Sequence, residues 1–144
     1  MRGKLLTEDE ERTHALVFDS GELVTEALTE YVRRRSISAA RLTAIGAFSH
    51  ARLGYFDLES REYQPIVVDE QVELLSLIGD VALWEGEPLL HAHVVVGRRD
   101  GSTAGGHLLE ARVRPTLEVL MVESPRHLQR RHDPTTGLPL LDPR

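Results

Sequence analysis

The chain has no cysteine, so it can form no disulfide, no thiolate metal site and no cysteine nucleophile. Asparagine is missing as well, which removes any N-glycosylation acceptor. No apolar run approaches the ~20 residues of a membrane-spanning helix. Residues 1–11 turn acidic where a secretory leader needs an apolar core, so the cytoplasm is the expected location. Positive charge is also in deficit. Seventeen Lys and Arg against 23 Asp and Glu leave a formal charge of −6. A protein that neutralises the phosphates of duplex DNA needs a basic stripe. The arginines that do gather, at Arg33, Arg34 and Arg35 and at Arg126, Arg130 and Arg131, read as solvated helix and tail surface. Direct DNA binding is not expected without a partner or assembly. Phosphate-loop patterns and a Gly-x-Ser-x-Gly nucleophile elbow are absent too.

A length of 144 residues fits one domain, long enough to bury a substantial core. Residues 1–12 are charged and read as a poorly ordered extension. A first strand is expected over 13–18. From 22 to 35 the apolar residues Val24, Ala27, Leu28, Tyr31 and Val32 recur at i, i+3, i+4, i+7 and i+8, one stripe of an amphipathic helix. Asp19, Ser20 and Gly21 before it supply turn and capping chemistry. The period then becomes strand-like over 41–48, where Gly46 marks a bulge or a close backbone approach. A hairpin over 52–58 and 62–68 follows, then a long strand over 72–83 that could bend at Gly79. Next come a hairpin over 88–97 and 102–113 and a last strand over 116–123. One main helix with many strands predicts an α+β domain over 13–123, built on a mostly antiparallel sheet. The tail, 124–144, holds four of the seven prolines. It should cross the surface without regular structure or add a short edge strand around 138–141.

The chemistry lies in the histidine hairpin. His91 and His93, spaced i, i+2, share one face of a strand. His107 returns on the next strand. Imidazole suits a divalent metal such as zinc, nickel, copper or iron, and three protein ligands with one vacancy is the arrangement of catalytic rather than structural zinc. The register decides. A three-residue loop of Arg99, Asp100 and Gly101 places His93 opposite His107, whereas a two-residue Asp100-Gly101 loop turns His107 to the other face. Gly105 and Gly106 could leave room for a metal, a ligand or a neighbouring subunit. Glu73 could approach the histidines or pair with an arginine, and the second is favoured. Glu110, three residues after His107, falls on the opposite face by simple alternation, where it would serve a salt bridge or subunit contact. His14, His50, His127 and His132 read as ordinary surface or loop histidines.

Several blocks, in order and at fitting intervals, resemble the plants-and-prokaryotes-conserved (PPC) domain. They are Gly21-Glu22-Leu23, Ala44-Ile45-Gly46-Ala47, Leu53-Gly54-Tyr55-Phe56-Asp57, Glu73-Leu74-Leu75-Ser76-Leu77-Ile78-Gly79, His91-Ala92-His93 and Gly105-Gly106-His107-Leu108-Leu109-Glu110. The resemblance implies an α/β domain that assembles as a homotrimer, with His91, His93 and His107 able to hold a metal such as zinc. Plant relatives add a minor-groove arm, and no such arm occurs in these residues. Where the plant type has Gly-Arg-Phe, Glu70-Gln71-Val72 stands here. The DNA-binding label often given to bacterial members therefore transfers poorly. The histidine hairpin is also similar to that of acetolactate decarboxylase, a zinc enzyme. Two functions follow as expectations. One is a trimeric regulatory or binding module with a small ligand at the metal. The other is a metal-dependent enzyme acting on a small carbonyl or carboxylate compound, in which the metal is a Lewis acid and Glu73 or Glu110 shuttles protons.

Overall fold

The structure, a computed structural model, describes residues 2–7, 11–124 and 127–142. In chain order its elements are β1 (Arg2–Thr7), β2 (Arg12–Phe18), α1 (Val24–Arg34), β3 (Ala39–Asp57), β4 (Glu62–Val68), β5 (Val72–Trp84), β6 (Glu87–Gly97), β7 (Thr103–Glu123), β8 (Gln129–His132) and β9 (Pro139–Asp142). All named strands join one nine-stranded sheet, antiparallel except where β8 meets β5. β3 pairs with both β5 and β7, β5 pairs with β6, and β6 returns to β7. Those four strands therefore close a ring around the core.

The ring is possible because β3 and β7 are very long, 19 and 21 residues, and bent by slips in their register. Two of the slips insert one extra residue in one strand and the third, between Gly46 and Phe48, inserts two in β7, which kinks the strands and strengthens their twist. Two breaks expected from the sequence, near residues 49–51 and 114–115, are such irregularities inside continuous strands. Pro115 falls between the pairs Gly46–Leu117 and Phe48–Val113, a slip where no ladder N–H is required. Gly46 is both at a bulge and at a close approach. A Cβ there would lie 2.5 Å from the Thr116 carbonyl oxygen.

α1 packs against β6 and β7 through Val24, Leu28, Tyr31 and Val32, the expected stripe. Val24, Leu28 and Val32 are fully buried, worth about 1.5–3 kcal/mol each. The N-cap is Leu23 and makes no side-chain cap, so Asp19, Ser20 and Gly21 turn the chain without capping the helix. The end is better secured. Ser36 adopts φ +54°, its N–H donates to Arg33 O, and Ile37 N–H donates to Val32 O, which closes the helix in a Schellman motif over the buried Ile37.

One segment corrects the sequence reading and another extends it. Residues 2–7, expected to be poorly ordered, form β1 against β2, since strand pairing uses the main chain. The tail adopts the second alternative offered for it and goes further. β8 and β9 form a hairpin whose turn is tied by Asp133, which accepts from the N–H groups of Thr135 and Thr136 and from the Thr136 hydroxyl. Leu83 N–H donates to Leu128 O at 2.8 Å and anchors the hairpin to β5.

Candidate metal centre

Ala92, Val94 and Val96 of β6 point into the core, so His91 and His93 necessarily face outward. Across the β6–β7 turn, Gly97 pairs with Thr103, Arg98 N–H donates to Ser102 O, and Gly101 sits at φ +84°. This is the three-residue loop. His93 faces His107 directly, and one ring nitrogen from each of His91, His93 and His107 lies within 4.8 Å of the others. Ring centroids are 5.1–5.5 Å apart.

Neighbours hold the rings in place. Tyr63 of β4 stacks on His107 at 4.6 Å between centroids. Asp80 of β5, opposite His91 in the ladder, brings Oδ2 to 3.6 Å from His91 Nδ1. Asp80 also pairs with Arg130 of β8, whose side chain is only 5% exposed. Burial pushes the Asp80 carboxyl up, but His91 and Arg130 outweigh it and hold the group below the usual carboxylate range. Burial, then the proximity of His91 and His93, depresses the His107 pKa to about 4. His93 is lowered by burial and by His91. His107 Nδ1 is buried without a hydrogen-bond partner. Three imidazoles in mutual reach, one with an orphaned nitrogen, fit a borderline-soft divalent cation such as zinc.

The other candidates fall elsewhere. Glu73 pairs with Ala47 and Gly97, five residues along β5 from the position facing His93, or roughly 15 Å of strand. Gly105 and Gly106 do not make room for a metal. A Cβ on Gly106 would stand 2.8 Å from the Gly54 carbonyl oxygen, and one on Gly105 would stand 3.1 Å from that of Val94. The glycines let β3 and β6 close on β7. Glu110 reverses its expected side. Arg52 pairs with Glu110 but Leu53 with Leu108, so a bulge at Leu109 resets the alternation. Leu108 and Ala111 are both buried, which leaves Glu110 on the His107 side opposite Arg52. His14 is no surface residue. It is 1% exposed, bonded through Nδ1 to the Tyr31 hydroxyl at 2.8 Å and through Nε2 to Glu123 at 3.2 Å. Asp80, Tyr63 and Arg130 are the residues that sequence reasoning missed. Strand alternation within β5 could have flagged Asp80, but its partner depended on a long-range register.

This sheet ring is the architecture of a known domain class. The Plants and Prokaryotes Conserved (PCC) domain model matches residues 6–125, and the chain belongs to that family. A plant- and prokaryote-conserved (PPC) protein from Pyrococcus horikoshii is 33% identical, with a TM-score of 0.85 over 91% of each chain. A metal-containing protein from Archaeoglobus fulgidus is 33% identical, with a TM-score of 0.84 over 98% of each. A "Putative DNA-binding protein" from Ralstonia eutropha is 30% identical, with a TM-score of 0.84 over 90% of each. A Staphylococcus aureus protein described as similar to alpha-acetolactate decarboxylase shares the fold at 12% identity, with a TM-score of 0.56 over 83% of this chain and 52% of that one. The bifunctional protein GlmU of Synechococcus sp. is 29% identical over 88% of this chain, which spans 20% of that relative's length.

Proposed function

We propose that this chain is a cytoplasmic, homotrimeric PPC-domain module that binds a divalent metal, zinc first, through His91, His93 and His107 and presents it to a small ligand. The observation that carries this reading is the convergence of three ring nitrogens within 4.8 Å. Asp80 stands 3.6 Å from His91 Nδ1, as a carboxylate usually stands behind a ligating histidine. The metal-containing relative supports the reading. Such an ion would supply Lewis acidity at an open coordination position, and Tyr63 and Asp80 would orient the rings. Self-association is supported by the outer faces of β3, β5 and β7, where Ile45, Leu75, Ile78 and Leu120 are each more than half exposed.

Elemental analysis of protein purified without a histidine tag tests this. About one zinc per chain is expected in the wild type, with at least tenfold weaker retention in His91→Ala and His107→Ala. Equal zinc in all three would refute the assignment. A second reading, a metal-dependent enzyme on a small carbonyl or carboxylate compound, is favoured by a cavity bordering His91 and His107. Direct DNA binding is the weakest reading. Arg33, Arg34 and Arg131 pair with Glu87, Glu30 and Asp142, Arg35 lies over the Tyr31 ring, and Arg130 is buried on Asp80. Arg126 lies outside the described residues.

A further inference from the structure

The C-terminal hairpin covers the outer face beside the triad and encloses a cavity of about 230 Å³. Its walls are aliphatic, with Leu89 and Leu90 from β6 and Leu138, Pro139 and Leu140 from the hairpin. Its ionisable groups, apart from the Tyr63 phenol, are His91, His107 and Arg130. Arg130 is locked there. Its Nη1 donates to Pro139 O at 2.9 Å, Nη2 pairs with Asp80, and Nε is buried without a partner. The roof residues lie beyond residues 6–125, the segment that the family model matches.

Charge fixes one end of a ligand. Arg130 and Asp80 cancel, and three neutral imidazoles add nothing. A divalent cation on the triad therefore leaves a double positive excess beside an apolar enclosure, where unpaired charge is costly. Volume and wall chemistry fix the other end. At ~30 Å³ for a water-sized group, the cavity admits roughly seven non-hydrogen atoms. We infer that it takes a short aliphatic carboxylate of about four to six carbons, with the headgroup at the His91, His107 and Arg130 side and the chain beneath Leu138, Pro139 and Leu140. This inference rests on the metal-site reading above.

Calorimetric titration of linear carboxylates, acetate through octanoate, into cobalt-loaded protein tests it. The visible cobalt spectrum is followed in parallel, with pentanamide as the neutral control. Affinity should rise about fourfold per methylene, the equivalent of ~0.8 kcal/mol for a buried CH₂, up to pentanoate or hexanoate and then fall. Pentanamide should bind at least tenfold more weakly than pentanoate. Leu138→Trp should weaken pentanoate at least tenfold with cobalt stoichiometry unchanged, and Leu138→Ala should move the optimum to longer acids. If one cobalt binds per chain but chain length and charge have no effect, or both variants keep the wild-type series, the carboxylate inference is overturned and the metal site stands. If cobalt does not bind, both fall.

Discussion

At the scale of single residues, burial decides which titratable groups matter. His107 is held neutral down to about pH 4 by burial and by two neighbouring imidazoles, whereas in the unfolded chain it protonates near the ordinary histidine value of ~6.5. The folded pKa is the lower one, so the unfolded state binds more protons between these values. The contribution is complete above about pH 6.5 and is lost as pH falls towards 4. In urea denaturation of the metal-free protein, stability should therefore fall by roughly 1 kcal/mol per pH unit across this window. His107→Gln should flatten that slope, and an unchanged slope would show that another group carries it. The His14 bridge is a second buried polar contact. Tyr31→Phe deletes the hydroxyl and leaves His14 Nδ1 unpaired, at a cost of about 1–3 kcal/mol measured by the same method. A loss below 0.5 kcal/mol would mean that water replaces the phenol.

Among elements, the β6–β7 hairpin depends on close backbone packing rather than on side-chain choice alone. Gly106 admits no Cβ without displacing the Gly54 carbonyl of β3. Gly106→Ala should cost about 1–3 kcal/mol by overpacking and shift His107 enough to weaken zinc retention at least tenfold. Normal stability and normal zinc content together would show that the strands yield. The hairpin register was readable because Asp100-Gly101 is a turn signal and three histidines agreed on one of two pairings. Glu110 was misread for the opposite reason. The bulge at Leu109 exists only because β3 and β7 must bend together, and nothing local in Leu108-Leu109-Glu110 announces it. The amphipathic stripe of α1 was fully legible, since helix periodicity is a local property, whereas β8 was not foreseen in a proline-rich tail.

For the molecule as a whole, the outer sheet face is the feature that an isolated chain leaves unexplained. Thr43 stands between Leu120 and Ile78, Ile78 faces His93, and His93 faces His107, which makes one row across the strands. Ile78 is 66% exposed beside a candidate metal centre. If this face mediates the proposed trimer, Ile78→Asp should yield a monomer by light scattering at micromolar concentration with an unchanged far-ultraviolet spectrum. A trimer that survives the substitution would place the interface elsewhere. The sequence by itself determined the helix, most of the strand-forming segments, the family and the three histidines, because periodicity, turn chemistry and motif spacing are written over a few neighbouring residues. Only the tertiary structure decided that β3, β5, β6 and β7 close a ring, that Asp80 and Arg130 stand behind His91, that His14 is interior, and that the tail roofs a cavity. Each of these depends on register between segments tens of residues apart, where the free energy of burial and backbone pairing over the whole sheet overrides local preference.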